Sequence, residues 1–184
     1  LLILAMAALF LFCPMNTRLY LAPCPSPQIL DRNGTPMYFF LNKQSQWAME
    51  KCLDEINPHL AKATIAVEDH RFFKHHGVDT LAVSRAIFQN LLERRIASGA
   101  STITMQVVKI SRKMKRRLPD KILQAWLALR LERRATKNQI IQAYLNNAPY
   151  GMNLVGCESA AWRYWGKSAK ELTLPEAALL AGLP

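Results

Sequence analysis

The sequence predicts a mainly α-helical domain preceded by an N-terminal apolar anchor, on three observations. Apolar residues recur at helical spacing through four stretches, 58–68, 80–95, 102–115 and 120–134. Thr136-x-x-Gln139, Ser168-x-x-Glu171 and Thr173-x-x-Glu176 are capping boxes, in which two side chains satisfy free backbone N–H groups reciprocally, and each opens a further short helix. Strand character is confined to a small hairpin near residues 29–40.

Leu1 to Phe12 is unbroken apolar sequence, followed by Cys13 and Pro14. Crossing a bilayer takes about 20 such residues, so residues 1–13 read as a transmembrane anchor cut short at its start. The rival is a signal peptide, whose apolar region runs about 7 to 15 residues. No small-x-small cleavage site follows the run before Pro14, which favours an uncleaved anchor. Pro14, Pro23, Pro25 and Pro27 mark residues 14–28 as a semi-rigid linker, and residues 29–184 form one domain.

Within that domain, Ile29 to Phe40 reads as a hairpin around an Asn33-Gly34 turn. Asn57 caps the next element and Pro58 fills its first helical position. Leu60, Ala63, Thr64 and Val67 share one face, so a helix running to Glu68 sets that carboxylate beside the apolar stripe and turns Asp69 about 100° away. Asp79 caps a helix from Thr80 to about Arg95. Its Leu81, Ile87, Phe88, Leu91 and Leu92 lie beside Arg85, Arg94 and Arg95, which suits an interfacial amphipathic helix and a core helix equally. Two more helices follow, from about Thr102 to Lys115 and from about Asp120 to Arg134.

A chain of 184 residues with 51% hydrophobic content and a mean hydropathy of -0.01 can bury one sizeable core. Cys13, Cys24, Cys52 and Cys157 have no metal-like spacing, and Cys52 and Cys157 read as free buried thiols unless the fold pairs them. Net charge +11 and a pI near 9.8 call for an acidic partner. Arg112, Lys113, Lys115, Arg116 and Arg117 lie within six positions. Alone, such a run is a solvated face or a nucleic-acid patch. No nucleic-acid-binding motif accompanies it, and the anchor points instead to a membrane, whose anionic headgroups attract basic residues by about 1 kcal/mol each. The sequence contains no metal-binding cluster and no phosphate-binding Gly-rich loop.

The chemistry concentrates in Glu68-Asp69-His70-Arg71-Phe72-Phe73-Lys74-His75-His76-Gly77, where adjacent carboxylates follow an apolar run. Such a pair is placed for proton transfer, or is a solvated helix end paired with Arg71 and Lys74. A second passage, Gly99-Ala100-Ser101-Thr102-Ile103-Thr104-Met105-Gln106-Val107-Val108-Lys109, decides between them. Together the two resemble the first two motifs of the peptidoglycan glycosyltransferases of family 51. Glu68, Asp69, Phe72, His75 and Gly77 match the first, Glu-Asp-x-x-Phe-x-x-His-x-Gly. Gly99, Ser101, Thr102 and Gln106 match the second, Gly-x-Ser-Thr-x-x-Gln-Gln, with Met105 in place of its first Gln. Tyr144-Leu145-Asn146, Tyr150-Gly151 and Tyr164-Trp165-Gly166-Lys167 look like the fourth motif, and Leu174 to Pro184 like the fifth. The third departs: the family pattern is Arg-Lys-x-x-Glu, and Asp120-Lys121-Ile122-Leu123-Gln124 keeps only the lysine. Met105 with Gln124 is similar to the penicillin-binding protein 1C type of this family.

The resemblance implies a lysozyme-like glycosyltransferase lobe with a small membrane-proximal jaw, on the outer face of the bacterial inner membrane. It implies polymerisation of lipid II onto a growing glycan strand, with Glu68 as catalytic base and Asp69 and Gln124 in support. Ser101, Thr102 and Gln106 would meet sugar or phosphate, and Lys109, Arg116 and Lys121 would line the pyrophosphate side. No cofactor is required, a divalent cation such as Mg is compatible, no metal ligands are assigned, and a transpeptidase domain is expected downstream. Gln124 cannot ionise, so leaving-group help falls to the basic residues. Glu132, about 12 Å further along the same helix, is too far to replace it. A lytic enzyme acting on finished glycan and a non-catalytic glycan-binding scaffold are the competing functions.

Overall fold

Side chains that satisfy free backbone amides set where most helices begin. A computed structural model describes residues 15–22, 24–34, 36–93, 101–115 and 117–184. Asn57 Oδ1 accepts from His59 N ahead of α2 (Pro58–Glu68), and Thr102 Oγ1 accepts from Met105 N ahead of α4 (Ile103–Ser111). Asp79 caps α3 (Thr80–Glu93) through Leu81 N and Ala82 N. Pro119 lies in the first turn of α5 (Leu118–Glu132), where its missing N–H costs nothing. The three boxes of the sequence all form. They open α6 (Lys137–Asn147), a 3₁₀ turn at Ala169–Glu171 and α8 (Leu174–Ala181). α7 (Cys157–Trp165) starts instead at Gly156 with φ +85°, without a side-chain cap.

The hairpin forms as β1 (Gln28–Leu30) and β2 (Pro36–Phe39), antiparallel, with Gly34 at φ +82° and Asn33 N bonded to Asp31 Oδ1 at 2.8 Å. A second pairing is invisible to local reading: β3 (Trp47–Ala48) runs parallel to β4 (Leu154–Val155).

α4 carries the core. It packs against both α5 and α6, while α2 packs on α8. Ile103, Val107, Val108, Leu127, Leu131, Ile140, Ile141, Tyr144 and Leu145 are buried in one cluster, each worth about 1.5–3 kcal/mol when fully buried. Gly77 joins the loop after α2 to this core. It sits at φ +97°, and a Cβ there would lie 2.7 Å from the backbone of Ala128 in α5.

Four readings change. The buried stripe of α2 runs through Leu60 and Thr64, while Val67 is 61% exposed. Asp69 does not turn outward, because the helix ends before it and its non-helical backbone swings it into the interior. The expected linker is docked where it is described: α1 (Arg18–Leu21) buries Tyr20, and Arg112 Nε donates to its hydroxyl at 2.8 Å. Cys157 is buried but Cys52 is exposed, and both are free. The expected anchor, residues 1–13, lies outside the described residues, among which no helix is long and apolar enough to cross a membrane.

Candidate active site

Glu68 is the last residue of α2, one turn beyond Thr64 on the buried stripe, and it is half-buried. Its Oε2 accepts a hydrogen bond from Gln106 Nε2 at 2.5 Å. Gln106 lies in the first turns of α4, so the two motifs meet through this contact. A neutral amide is a suitable partner here because it orients the carboxylate without bringing a charge that competes for its proton.

Asp69 holds the frame around that pair. Both carboxylate oxygens lie 3.0 Å from His75 Nε2, and Oδ2 also accepts from Ile103 N at 3.1 Å. An ionised carboxylate only accepts, so the Nε2 position carries the proton. The Ile103 amide is one of the N–H groups that a helix start leaves free, and a negative charge is favourable there. Thr102 completes the clasp, donating its hydroxyl proton to Gly77 O at 2.6 Å while accepting from Met105 N. The loop 69–77 is therefore stitched to the N-terminus of α4 at two points. Thr102, expected to meet sugar or phosphate, is buried here as the helix cap and donates its hydroxyl proton to Gly77 O.

A second charged cluster backs the loop. Arg71 pairs with Asp79 at 3.0 Å. Burial alone would raise the Asp79 carboxyl, but the Ala82 N–H, Arg71, the Leu81 N–H and His75 together hold it below the ordinary carboxylate range. Lys137 Nζ donates to His75 O and to Glu132 Oε1, both at 2.7 Å, and sits 4.4 Å from the centre of the Phe72 ring. Glu132 also accepts from Thr104 Oγ1 at 2.6 Å, so its carboxylate serves this brace and does not stand in for an acid at position 124.

The remaining predicted residues spread along α4 and α5. Lys109 is half-buried, three positions after Gln106 and so on the same side of α4. Ser101 is half-buried just before the cap, and Lys121 is exposed in the first turns of α5. Gln124 is buried at the head of a stripe that continues through Leu127, Ala128 and Leu131. Arg116 lies outside the described residues. Among the described residues no group of three or more His, Cys, Asp or Glu side chains is arranged to hold a metal ion.

Two residues near the carboxylate were quoted in the sequence motifs without a role. Tyr144 and Tyr150 are buried, and burial raises both phenols well above their ordinary range, helped at Tyr144 by the charge of Glu68 and at Tyr150 by Cys157, then Tyr144, then Glu68. Asn146 is structural, its amide bridging Lys51 N at 3.0 Å and Lys51 O at 2.8 Å. Glu158 is structural too, accepting from Trp162 Nε1, Ser168 Oγ and Ala169 N.

A family model described as Transglycosylase matches residues 33–184. Penicillin-binding protein 1C of Escherichia coli (strain K12) is 39% identical over 160 residues, covering 87% of this chain and 21% of that protein. Penicillin-binding protein 1A of the same organism is 43% identical over 133 residues, covering 72% and 16%. Penicillin-binding protein 1A of Aquifex aeolicus (strain VF5) is 38% identical over 163 residues, covering 88% and 22%. The chain thus spans about a fifth of the length of these relatives. With the matched region enclosing Glu68, Gln106 and the frame that joins them, the chain belongs to the transglycosylase family.

Proposed function

We propose that this chain is a peptidoglycan glycosyltransferase domain that polymerises lipid II into glycan strands, with Glu68 as its catalytic base. The observation that carries this reading is a half-buried carboxylate gripped at Oε2 by Gln106, with Oε1 making no hydrogen bond among the described residues. A base must be oriented yet keep one oxygen free to take a proton.

In this reading Glu68 removes the proton from the 4-hydroxyl of the acceptor's terminal N-acetylglucosamine. The freed oxygen attacks the anomeric carbon of the growing chain's N-acetylmuramic acid, a carbon–oxygen bond forms on the β face, and the α bond to the pyrophosphate breaks. The electron pair leaves on undecaprenyl pyrophosphate. Proton transfer of this kind contributes about 10²–10⁴-fold, and charge stabilisation of the leaving group is often the larger effect. Lys109 and Lys121, with Arg116 of the same basic run, supply it, while Ser101 offers a further donor. Asp69 acts through the frame, since its carboxylate is committed to His75 and Ile103. A divalent cation such as Mg, were it to accompany the substrate, would add to the charge that Lys109 and Lys121 offer the pyrophosphate, and no side-chain ligands are assigned to it.

The substrate is lipid-linked, so the domain works at the outer face of the bacterial inner membrane. Exposed Leu81 and Phe88 on α3 supply an apolar face for the bilayer. Residues 1–13 would anchor the chain, and a transpeptidase domain would follow it. The test is lipid II polymerisation by the full-length protein beside its Glu68→Gln variant. Glycan product should fall by at least about 10²-fold. Undiminished polymer from the variant would remove Glu68 from the mechanism, and shortening of supplied glycan in place of new polymer would identify a lytic enzyme.

A further inference from the structure

Lys137, the first residue of α6, lies outside the motifs that carry the chemistry, yet its ammonium closes a circuit of contacts around them. Nζ donates to His75 O and to Glu132 Oε1, each at 2.7 Å, and lies 4.4 Å from the centre of the Phe72 ring. Glu132 Oε1 accepts in turn from Thr104 Oγ1 at 2.6 Å, and Thr104 sits on α4 two residues before Gln106. His75 Nε2 meets Asp69 at 3.0 Å, and Asp69 Oδ2 accepts from Ile103 N at 3.1 Å, which returns the circuit to α4. Glu68 directly precedes Asp69, so the base and its Gln106 partner are mounted on the same ring of contacts. We propose that Lys137 is a positioning residue for the base: by holding the His75 carbonyl it fixes the loop 69–77 and, through Asp69, the end of α2 that presents Glu68.

These contacts hold geometry and bring no charge to the reacting atoms. The loop has one short 3₁₀ turn, Phe72–Lys74, and it is tied to the start of α4 at its two ends, Asp69 and Gly77. Lys137 holds it in between, at His75. An ammonium has three protons and no acceptor, so one group can bind a carbonyl and a carboxylate at once while resting on an aromatic face. The Glu132 side chain is 4% exposed, and a carboxylate so buried is tolerated only where a cation and hydrogen bonds answer it. Glu132 therefore fixes where the ammonium stands, and Thr104 fixes Glu132 against α4. A displacement of about 1 Å at a reacting group can cost about 10²-fold in rate, so a loop released at His75 reaches the chemistry without touching substrate.

The inference rests on Glu68 being the base, and variants of the full-length protein keep the two claims apart. Lys137→Met keeps a side chain of similar length but strips the ammonium and leaves Glu132 buried without its cation, so this variant should melt lower. Lys137→Met combined with Glu132→Gln removes that uncompensated charge, and the glutamine still accepts from Thr104, so melting should return close to wild type. The His75 carbonyl is still unheld in this double variant. Its kcat for lipid II polymerisation, measured well below the melting temperature, should stay about tenfold under wild type, with KM changed less than about twofold. Lys137→Arg, which keeps a charged donor, should recover most of kcat. Backbone amide exchange in the double variant should quicken across residues 70–77 and not in α4 or α6. A double variant that regains kcat together with its melting temperature makes Lys137 a stabilising residue only and overturns the proposal, as does unchanged exchange in the loop. An inactive Glu68→Gln beside an unimpaired double variant refutes the positioning role and leaves the base intact. Full activity of Glu68→Gln instead refutes the base, and the positioning role with it.

Discussion

At the residue scale, the site depends on two amides that carry no charge. Gln106 orients Glu68, and Gln124 occupies a buried position where the family pattern has an acid. If leaving-group charge is met by Lys109, Arg116 and Lys121, a carboxylate at 124 adds little. Gln124→Glu should therefore change lipid II polymerisation by less than about threefold, since no transition-state contact is gained. A gain of tenfold or more would show that the missing acid had limited the enzyme. Glu68, Asp69, His75 and Gln106 were all legible in the sequence, because motif spacing survives folding. The direction of Asp69 was not. A helical wheel extrapolated past Glu68 turns it outward, whereas the backbone leaves the helix there and sends it to His75 and Ile103 N.

At the scale of elements, helix starts were readable because caps are local, and Asn57, Asp79, Thr102 and Thr136 each bond an amide within three residues. What joins the elements was less readable. The β3–β4 pair connects segments more than a hundred residues apart, and α7 begins at a glycine whose role is close approach to Asn146. Gly77 belongs to the same class: its place in the motif was visible, but its cause is the backbone of α5. Gly77→Ala must adopt φ +97° and push a methyl group to 2.7 Å from Ala128. The left-handed conformation alone costs about 1–2 kcal/mol, and the displaced loop loosens Thr102, His75 and the Glu68 frame with it. The variant should melt several degrees lower and polymerise lipid II more slowly, as differential scanning calorimetry beside a polymerisation assay would show. A variant with wild-type melting would mean that the loop and α5 do not meet as described.

At the scale of the molecule, the basic run and the docked N-terminal segment meet at the C-terminal end of α4. Arg112 Nε bonds the Tyr20 hydroxyl and Ser111 Oγ the Tyr20 carbonyl, so the segment that follows residues 1–13 is tied to the C-terminal end of α4, the helix that carries Lys109. Lys113, Lys115 and Arg117 extend from that end into solvent. If residues 1–13 anchor the chain as proposed, the exposed cations beside the docked segment would meet anionic headgroups as well as pyrophosphate, in a chain of net charge +11. Each such residue near an anionic surface contributes about 1 kcal/mol and is screened within a Debye length of about 8–10 Å. Lys113→Glu with Lys115→Glu should therefore weaken co-sedimentation with phosphatidylglycerol vesicles by more than tenfold at low salt, and raising the salt to about 1 M should shrink that difference. Tyr20 and Arg112 remain in place in this double variant, so its melting temperature should match the wild type. Vesicle binding that ignores both the substitutions and the salt would assign membrane attachment to apolar segments alone, and would leave the basic run to the substrate.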